Sequence, residues 1–148
     1  MSTYTQILYQ IVFSTKERKP VLLKESRPLL LKYIYGVLRN KNCHLYRINC
    51  IEDHIHILLS IHPSVSLSSL VKDIKISSSS FVKENNLFPG FSGWQEGYGA
   101  FTYSYGEVNK LIEYVKNQEE HHKNITFREE FIAMLNEHQI TFDPKYLI

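Results

Sequence analysis

Cysteine is scarce in this chain: Cys43 and Cys50 are its two in 148 residues. That is too few for a disulfide framework, and their spacing matches no zinc motif. Both fall in a strand expected over residues 43–51, seven positions apart and so on opposite faces, which makes them structural thiols rather than a bridge. No apolar run approaches the roughly 20 residues of a membrane-spanning helix. The opening Met1-Ser2-Thr3-Tyr4-Thr5-Gln6 has neither the basic start nor the apolar stretch of a signal peptide, so a cytoplasmic protein is expected. A large excess of one charge is also missing, and a net charge of +2 does not by itself mark a nucleic-acid binder. No repeat or linker divides the chain, so residues 1–148 read as one domain with a single core.

The placement of charge says more than its sum. Lys16, Arg18 and Lys19 cluster after the first apolar stretch, and Lys72, Lys75 and Lys83 fall on a later helical one. The acids Glu107, Glu113, Glu119, Glu120, Glu129 and Glu130 lie in the last third. A basic first half against an acidic second half suits a localised phosphate-binding face, although any single lysine is equally at home on a solvated helix.

Hydrophobic periodicity gives a coarse map. Strands are expected over 3–14, 44–51 and 54–61, with one or two more over 94–105; helices are expected over 25–39, 67–84, 107–122 and 127–136. The order β-α-β-β-α-β followed by a helix is a ferredoxin-like split βαβ arrangement, an α+β fold. It places the strand at 54–61 in the middle of an antiparallel sheet. Helices cover one face, and the other is free for ligand.

Two segments carry chemistry. Along 54–61, His54, His56, Leu58 and Ser60 point one way and Ile55, Ile57, Leu59 and Ile61 the other. The aliphatic set is a core face. The histidines stand about 6.5–7 Å apart at Cα, close enough for both imidazoles to hold one metal ion, though two ordinary core histidines would show the same pattern. Along 107–122, Val108, Leu111, Ile112 and Val115 form a buried helical stripe, with Tyr114, Gln118 and His121 on one flank beside it. Tyr114 alone would read as a boundary residue. Asp53, just ahead of the histidines, could orient one of them or simply turn the hairpin.

Together these segments resemble the HUH endonucleases, and more narrowly the single-tyrosine transposases of insertion sequences, the IS200-like family. The resemblance runs through Tyr9-Gln10-Ile11-Val12-Phe13-Ser14-Thr15-Lys16 with Arg18, then Glu52-Asp53-His54-Ile55-His56-Ile57-Leu58-Leu59-Ser60. It continues through the Ser- and Lys-rich stretch 64–80, Trp94-Gln95-Glu96-Gly97-Tyr98-Gly99-Ala100-Phe101, and the segment 114–123 from Tyr114 to Lys123. Gln10 stands where many relatives carry His; a carboxamide can still hydrogen-bond. The resemblance implies a ferredoxin-like fold, with Tyr114 as nucleophile. It also implies a divalent ion, Mg²⁺ or Mn²⁺, on His54, His56 and Gln118. Single-stranded DNA, folded into hairpin transposon ends, would be the substrate of a homodimer.

His121 is a candidate base. Lys16, Arg18, Lys19, Lys72 and Lys75 are candidate phosphate contacts, and Tyr46, Trp94 and Phe101 could either stack on bases or pack the core. Three alternatives stay open: a domesticated nuclease acting on palindromic repeats, a catalytically silent single-strand-binding module, and a regulator with a structural metal. The last needs a fourth protein ligand, and the sequence places none obviously.

Overall fold

The computed structural model describes residues 2–147. Four strands, β1 (Leu8–Ser14), β2 (His44–Cys50), β3 (His54–Ser60) and β4 (Gly99–Tyr103), pair antiparallel in the order β2-β3-β1-β4. Helices α1 (Arg27–Asn40) and α2 (Leu67–Glu84) cross between β1 and β2 and between β3 and β4. This is the ferredoxin-like split βαβ fold, α+β as expected, with β3 interior. The first strand begins at Leu8, not at residue 3, because its neighbours run out: Leu8 meets Tyr103 and Tyr9 meets Leu59 at the ends of the two ladders. The aromatic stretch 94–105 contributes one strand, and Trp94 adds only an isolated bridge to Thr15. Among the described residues no helix is long and apolar enough to cross a membrane.

Strand alternation divides the core. Ile11, Phe13, Ile55, Ile57 and Leu59 face α1 and α2, packing with Leu30, Ile34, Leu38, Leu70, Val71 and Ile74. On the other face, Leu8 and Leu58 pack with Val108, Leu111 and Val115 of α3 (Val108–Lys116). Val12 and Phe101 pack beside them with Phe127, Phe131, Met134 and Leu135 of α5 (Phe127–Glu137). The face expected to be free is therefore roofed. Its apolar residues require cover, and at about 25 cal/mol per Å² the burial of Phe101, Phe127 and Phe131 contributes substantially to holding α5 down.

β2 carries a bulge. Leu45 sits opposite Leu59 and Arg47 opposite Leu58, so Tyr46 is an extra residue and the alternation resets. Cys43 and Cys50 consequently share one face, inside the Ile55–Ile57 core, rather than lying on opposite faces. Both are free thiols, and burial, only partly offset by Arg27, pushes Cys50 up to about 12.

Gly99 of β4 sits directly beneath α5. A Cβ there would lie 2.5 Å from Cε1 and 2.9 Å from Cζ of Phe131. Gly99→Ala is expected to cost about 1–3 kcal/mol through overpacking, read as a lower urea midpoint. An unchanged midpoint would mean that α5 does not pack where described.

Candidate active site

The histidine pair is buried in the sheet, and each ring is fixed by one nitrogen. His54 Nδ1 lies 2.7 Å from Asp53 Oδ1, His56 Nδ1 lies 2.7 Å from Gln10 Oε1, and both side chains are out of solvent. Gln10 reaches His56 because β1 pairs beside β3, with Gln10 opposite Leu58, two pairs along from Val12 and His56 and so on the same face. Its amide Nε2 donates to the Tyr103 hydroxyl at 3.0 Å. A carboxylate or carbonyl oxygen can only accept, so Nδ1 carries the proton in both rings and Nε2 points into the site.

The helix expected over 107–122 is interrupted. α3 ends at Lys116, Asn117 departs from helical geometry (φ −94°, ψ 20°), and α4 (Gln118–His121) follows. The cause lies on β2: Asn49 Nδ2 donates to the carbonyls of Val115 at 3.0 Å and Lys116 at 3.2 Å. In an unbroken helix those acceptors belong to residues 119 and 120. Past the break, Gln118 is fully buried with Oε1 3.3 Å from His54 Nε2. His121 stays partly exposed, its ring 5.5 Å from that of Tyr114, and its Nε2, which makes no hydrogen bond, lies 3.4 Å from Glu130 Oε2. His122 turns inward instead. Its Nδ1 lies 2.9 Å from the Ile125 carbonyl and its Nε2 3.0 Å from Gln118 Oε1.

At the centre is a residue whose role sequence reasoning missed. Glu130, 2% exposed, projects from α5. Its Oε1 lies 3.0 Å from His56 Nε2, 3.0 Å from His122 Nε2 and 3.5 Å from His54 Nε2. Its Oε2 accepts from Gln118 Nε2 at 2.9 Å and from the Tyr114 hydroxyl. A capping box fixes where α5 starts: Thr126 Oγ1 accepts from the Glu129 N–H, and the Glu129 carboxylate accepts from the Thr126 N–H. The signal was present in the sequence, because Glu130 lies within the stripe Phe127, Phe131, Met134, Leu135. A carboxylate on a buried stripe requires partners. His54, His56, His122 and Glu130 present ligand atoms all within 4.8 Å of one another, so a metal site of four protein donors is available, contrary to the expectation of no fourth ligand.

Burial opposes charge here, and the outcome differs by residue. It pushes Glu130 upward, but the hydrogen bonds of His122, His54 and His56 hold its carboxyl far below the ordinary range. It pushes His54 down, and the Asp53 and Glu130 interactions more than reverse this. For His56 burial prevails, and the imidazole is held below its usual value. Burial and the adjacent Glu130 charge push the Tyr114 phenol well up. Tyr114 is thus a neutral phenol. A pocket of about 330 Å³ lined by Gln10, Tyr103, Lys110, Tyr114 and His121 reaches it from outside.

The basic candidates lie apart from this cluster. Lys16, Arg18 and Lys19 are exposed on the turn after β1. Lys72 is exposed on α2, which packs on the aliphatic face of the sheet, across from the histidines. Lys75 is half-buried and donates to the carbonyls of Gln95 at 2.8 Å and Gly97 at 2.5 Å, tying the 94–98 loop to α2. Of the aromatics, Phe101 is core, and Trp94 packs edge-on to Phe13 while its indole N–H donates to Ser78.

The split βαβ sheet sets His54 and His56 against Tyr114 of α3 and Gln118 of α4, and the chain that carries this site falls in the transposase class. The chain belongs to the IS200-like transposase family, whose model, "Transposase IS200 like", matches residues 3–118. It is 30% identical over 120 residues to the transposases of insertion sequence element IS200 from Salmonella typhimurium strain LT2 and Salmonella typhi, spanning 78% of each chain. Two solved structures share the fold. One is a candidate transposase from Deinococcus radiodurans R1 (TM-score 0.59, 22% identity, 80% of this chain and 95% of that one). The other is a REP-associated tyrosine transposase bound to a REP hairpin (TM-score 0.60, 16% identity, 82% and 74%).

Proposed function

We propose that this protein cuts and rejoins single-stranded DNA by transesterification, with Tyr114 as the nucleophile and residues 1–148 acting as one domain. The observation that supports this most is the convergence of His54, His56, Tyr114 and Gln118 on one buried point in a chain of this family. His54, His56 and Gln118 would hold a divalent ion, Mg²⁺ or Mn²⁺. The donor set fits: each Nδ1 is occupied by Asp53 or Gln10, which leaves the Nε2 lone pairs and the Gln118 carbonyl oxygen facing inward. Imidazole donors favour Mn²⁺ over Mg²⁺. When bound, the ion supplies Lewis-acid polarisation of the scissile phosphodiester.

The chain's own groups do the rest. Asp53 and Gln10 fix the rings, and α3 delivers the Tyr114 hydroxyl to the pocket lined by Tyr103 and Lys110. Attack forms the Tyr114 Oη–P bond and breaks the P–O3′ bond, and the departing oxygen takes up a proton as a free 3′-OH. The phenolic proton passes to a base beside the ring; His121, whose Nε2 makes no hydrogen bond and lies 3.4 Å from Glu130 Oε2, is the candidate. The 5′-phosphotyrosine conserves the phosphodiester's energy, so a second strand's 3′-OH can displace Tyr114 without ATP. Lys16, Arg18, Lys19 and Lys72 would contact phosphates, while Lys75 orders the adjacent loop. The substrate would be a hairpin-ended single strand, handled by a homodimer in the cytoplasm. The hairpin-bound structural neighbour also favours a second reading, in which the same chemistry trims palindromic repeats.

End-labelled oligonucleotides from the DNA flanking the gene test this. With Mn²⁺ or Mg²⁺ present, a 3′ label should migrate with denatured protein and a 5′ label with a shortened free strand. Cleavage with neither label on the protein would overturn the covalent step.

A further inference from the structure

We propose that His122 and Glu130 join His54 and His56 in a four-donor centre for a divalent transition metal of zinc-like preference, which closes the site when no DNA is bound. This rests on the reading that His54 and His56 hold a cation. It changes which cation and which donors.

The argument begins with hydrogen bonds. His54, His56 and His122 each direct Nδ1 at an oxygen that can only accept: Asp53 Oδ1, Gln10 Oε1 and the Ile125 carbonyl. A neutral imidazole has one N–H, and Nδ1 uses it. Three Nε2 lone pairs are then left facing Glu130 Oε1 at 3.0, 3.0 and 3.5 Å. Gln118 Oε1 adds another, 3.0 Å from His122 Nε2 and 3.3 Å from His54 Nε2. Lone pairs facing one another inside a protein repel unless something positive lies between them: a proton, as in the hydrogen bonds that keep Glu130 ionised, or a metal ion that takes the protons' place. Pinned Nδ1 atoms with converging Nε2 atoms are also how outer partners prepare histidines for a metal.

The spacing agrees. Tetrahedral zinc with bonds of about 2.0–2.1 Å sets its ligand atoms about 3.3–3.4 Å apart. The distances of 3.0, 3.0 and 3.5 Å around Glu130 Oε1 bracket that value, and the whole set lies within 4.8 Å, so the side chains need only draw together to close on an ion. Three imidazoles and one carboxylate suit zinc or another late transition metal rather than magnesium, which prefers oxygen ligands and water.

The family's matched segment ends at residue 118, so His122 and Glu130 belong to the stretch beyond it. This tail supplies both additional donors. It also holds the nucleophile, because Glu130 Oε2 accepts from the Tyr114 hydroxyl while Oε1 faces the histidines. A phosphodiester entering between Tyr114 and the histidines has to take Glu130's place.

The test is metal binding by chelator-washed protein without DNA. Zn²⁺, Mn²⁺ and Mg²⁺ are titrated against a chromophoric chelator for wild type, His122→Asn, Glu130→Gln and His54→Ala, with circular dichroism confirming each fold. Wild type should bind one Zn²⁺, more tightly than Mn²⁺ or Mg²⁺, and its Co²⁺ form should show the strong visible bands of four-coordination. His122→Asn and Glu130→Gln should each weaken Zn²⁺ by more than about 100-fold, beyond the roughly 10–100-fold that losing an outer partner causes. Wild-type zinc affinity in both variants, with loss only in His54→Ala, would overturn the closed centre and leave the transposase reading intact. A weak six-coordinate Co²⁺ spectrum in wild type would do the same without any variant. No binding of any ion by wild type would overturn it and remove the metal from the proposed reaction as well, whereas Tyr114 chemistry would still be judged by the labelled strands.

Discussion

Tyr114→Phe is expected to abolish the protein–DNA adduct and to lower strand cleavage by a factor on the order of 10⁴ or more, the scale of loss when a covalent nucleophile is removed. The substitution is clean. The ring keeps its edge-on contacts with His56 (centroids 5.9 Å apart) and His121 (5.5 Å), and only the hydroxyl that donates to Glu130 is lost. That hydrogen bond to a charged group contributes about 1.5–3 kcal/mol at most, so the variant should remain folded. Single-turnover cleavage of a labelled strand measures the effect. A variant that cleaves at the wild-type rate would make Tyr114 a packing residue.

Glu130→Ala is expected to be the most damaging single change to the fold. Glu130 accepts from or faces Tyr114, Gln118, His54, His56 and His122 at the buried end of the pocket. Removing one member of a buried charged network costs about 3–5 kcal/mol. Set against a total of about 5–15 kcal/mol for a domain, that is a third or more of the stability. Urea unfolding in a chelator measures it, and a cost below about 1 kcal/mol would show that the carboxylate is solvated.

Acid pH provides a second readout with a definite sign. The Glu130 carboxyl is held far below its ordinary value in the fold, so its contribution is full above the unfolded carboxyl pKa of about 4.3. It declines as pH falls further, because the unfolded chain then binds a proton that the folded protein does not. The stability gap between wild type and Glu130→Ala should therefore be widest above pH 5 and narrow steadily toward pH 3. A gap that widened toward pH 3 would contradict the assignment.

What was legible in the sequence follows from how local each feature is. The alternation of β3 put His54 and His56 on one face with no help from the rest of the chain. The i, i+4 spacing likewise placed Tyr114 and Gln118 together, and the order of elements led to the split βαβ sheet. The misses each depend on a distant partner. The helix breaks after Lys116 because Asn49, on another strand, takes its carbonyls, and beyond the break it is His122 that meets the His54 ring.

The bulge at Tyr46 reverses the side on which Cys43 lies, and no turn residue announces it. Lys75 looks like a phosphate ligand in sequence, but the 94–98 loop folds over it and supplies two carbonyls. Glu130 was nearer to view. Its place on the stripe of α5 marks it as buried, but its partners come from β3, α3, α4 and the turn after α4, and only the packed structure brings them together.

The most direct test of Tyr114's role is mass spectrometry of the trapped complex. After reaction with the flanking single strand, nuclease trimming and trypsin, the peptide Leu111–Lys116 should carry a 5′-linked nucleotide, with fragment ions placing it on Tyr114. A nucleotide on another residue, or cleaved DNA ending in a free 5′-phosphate with that peptide unmodified, would contradict it.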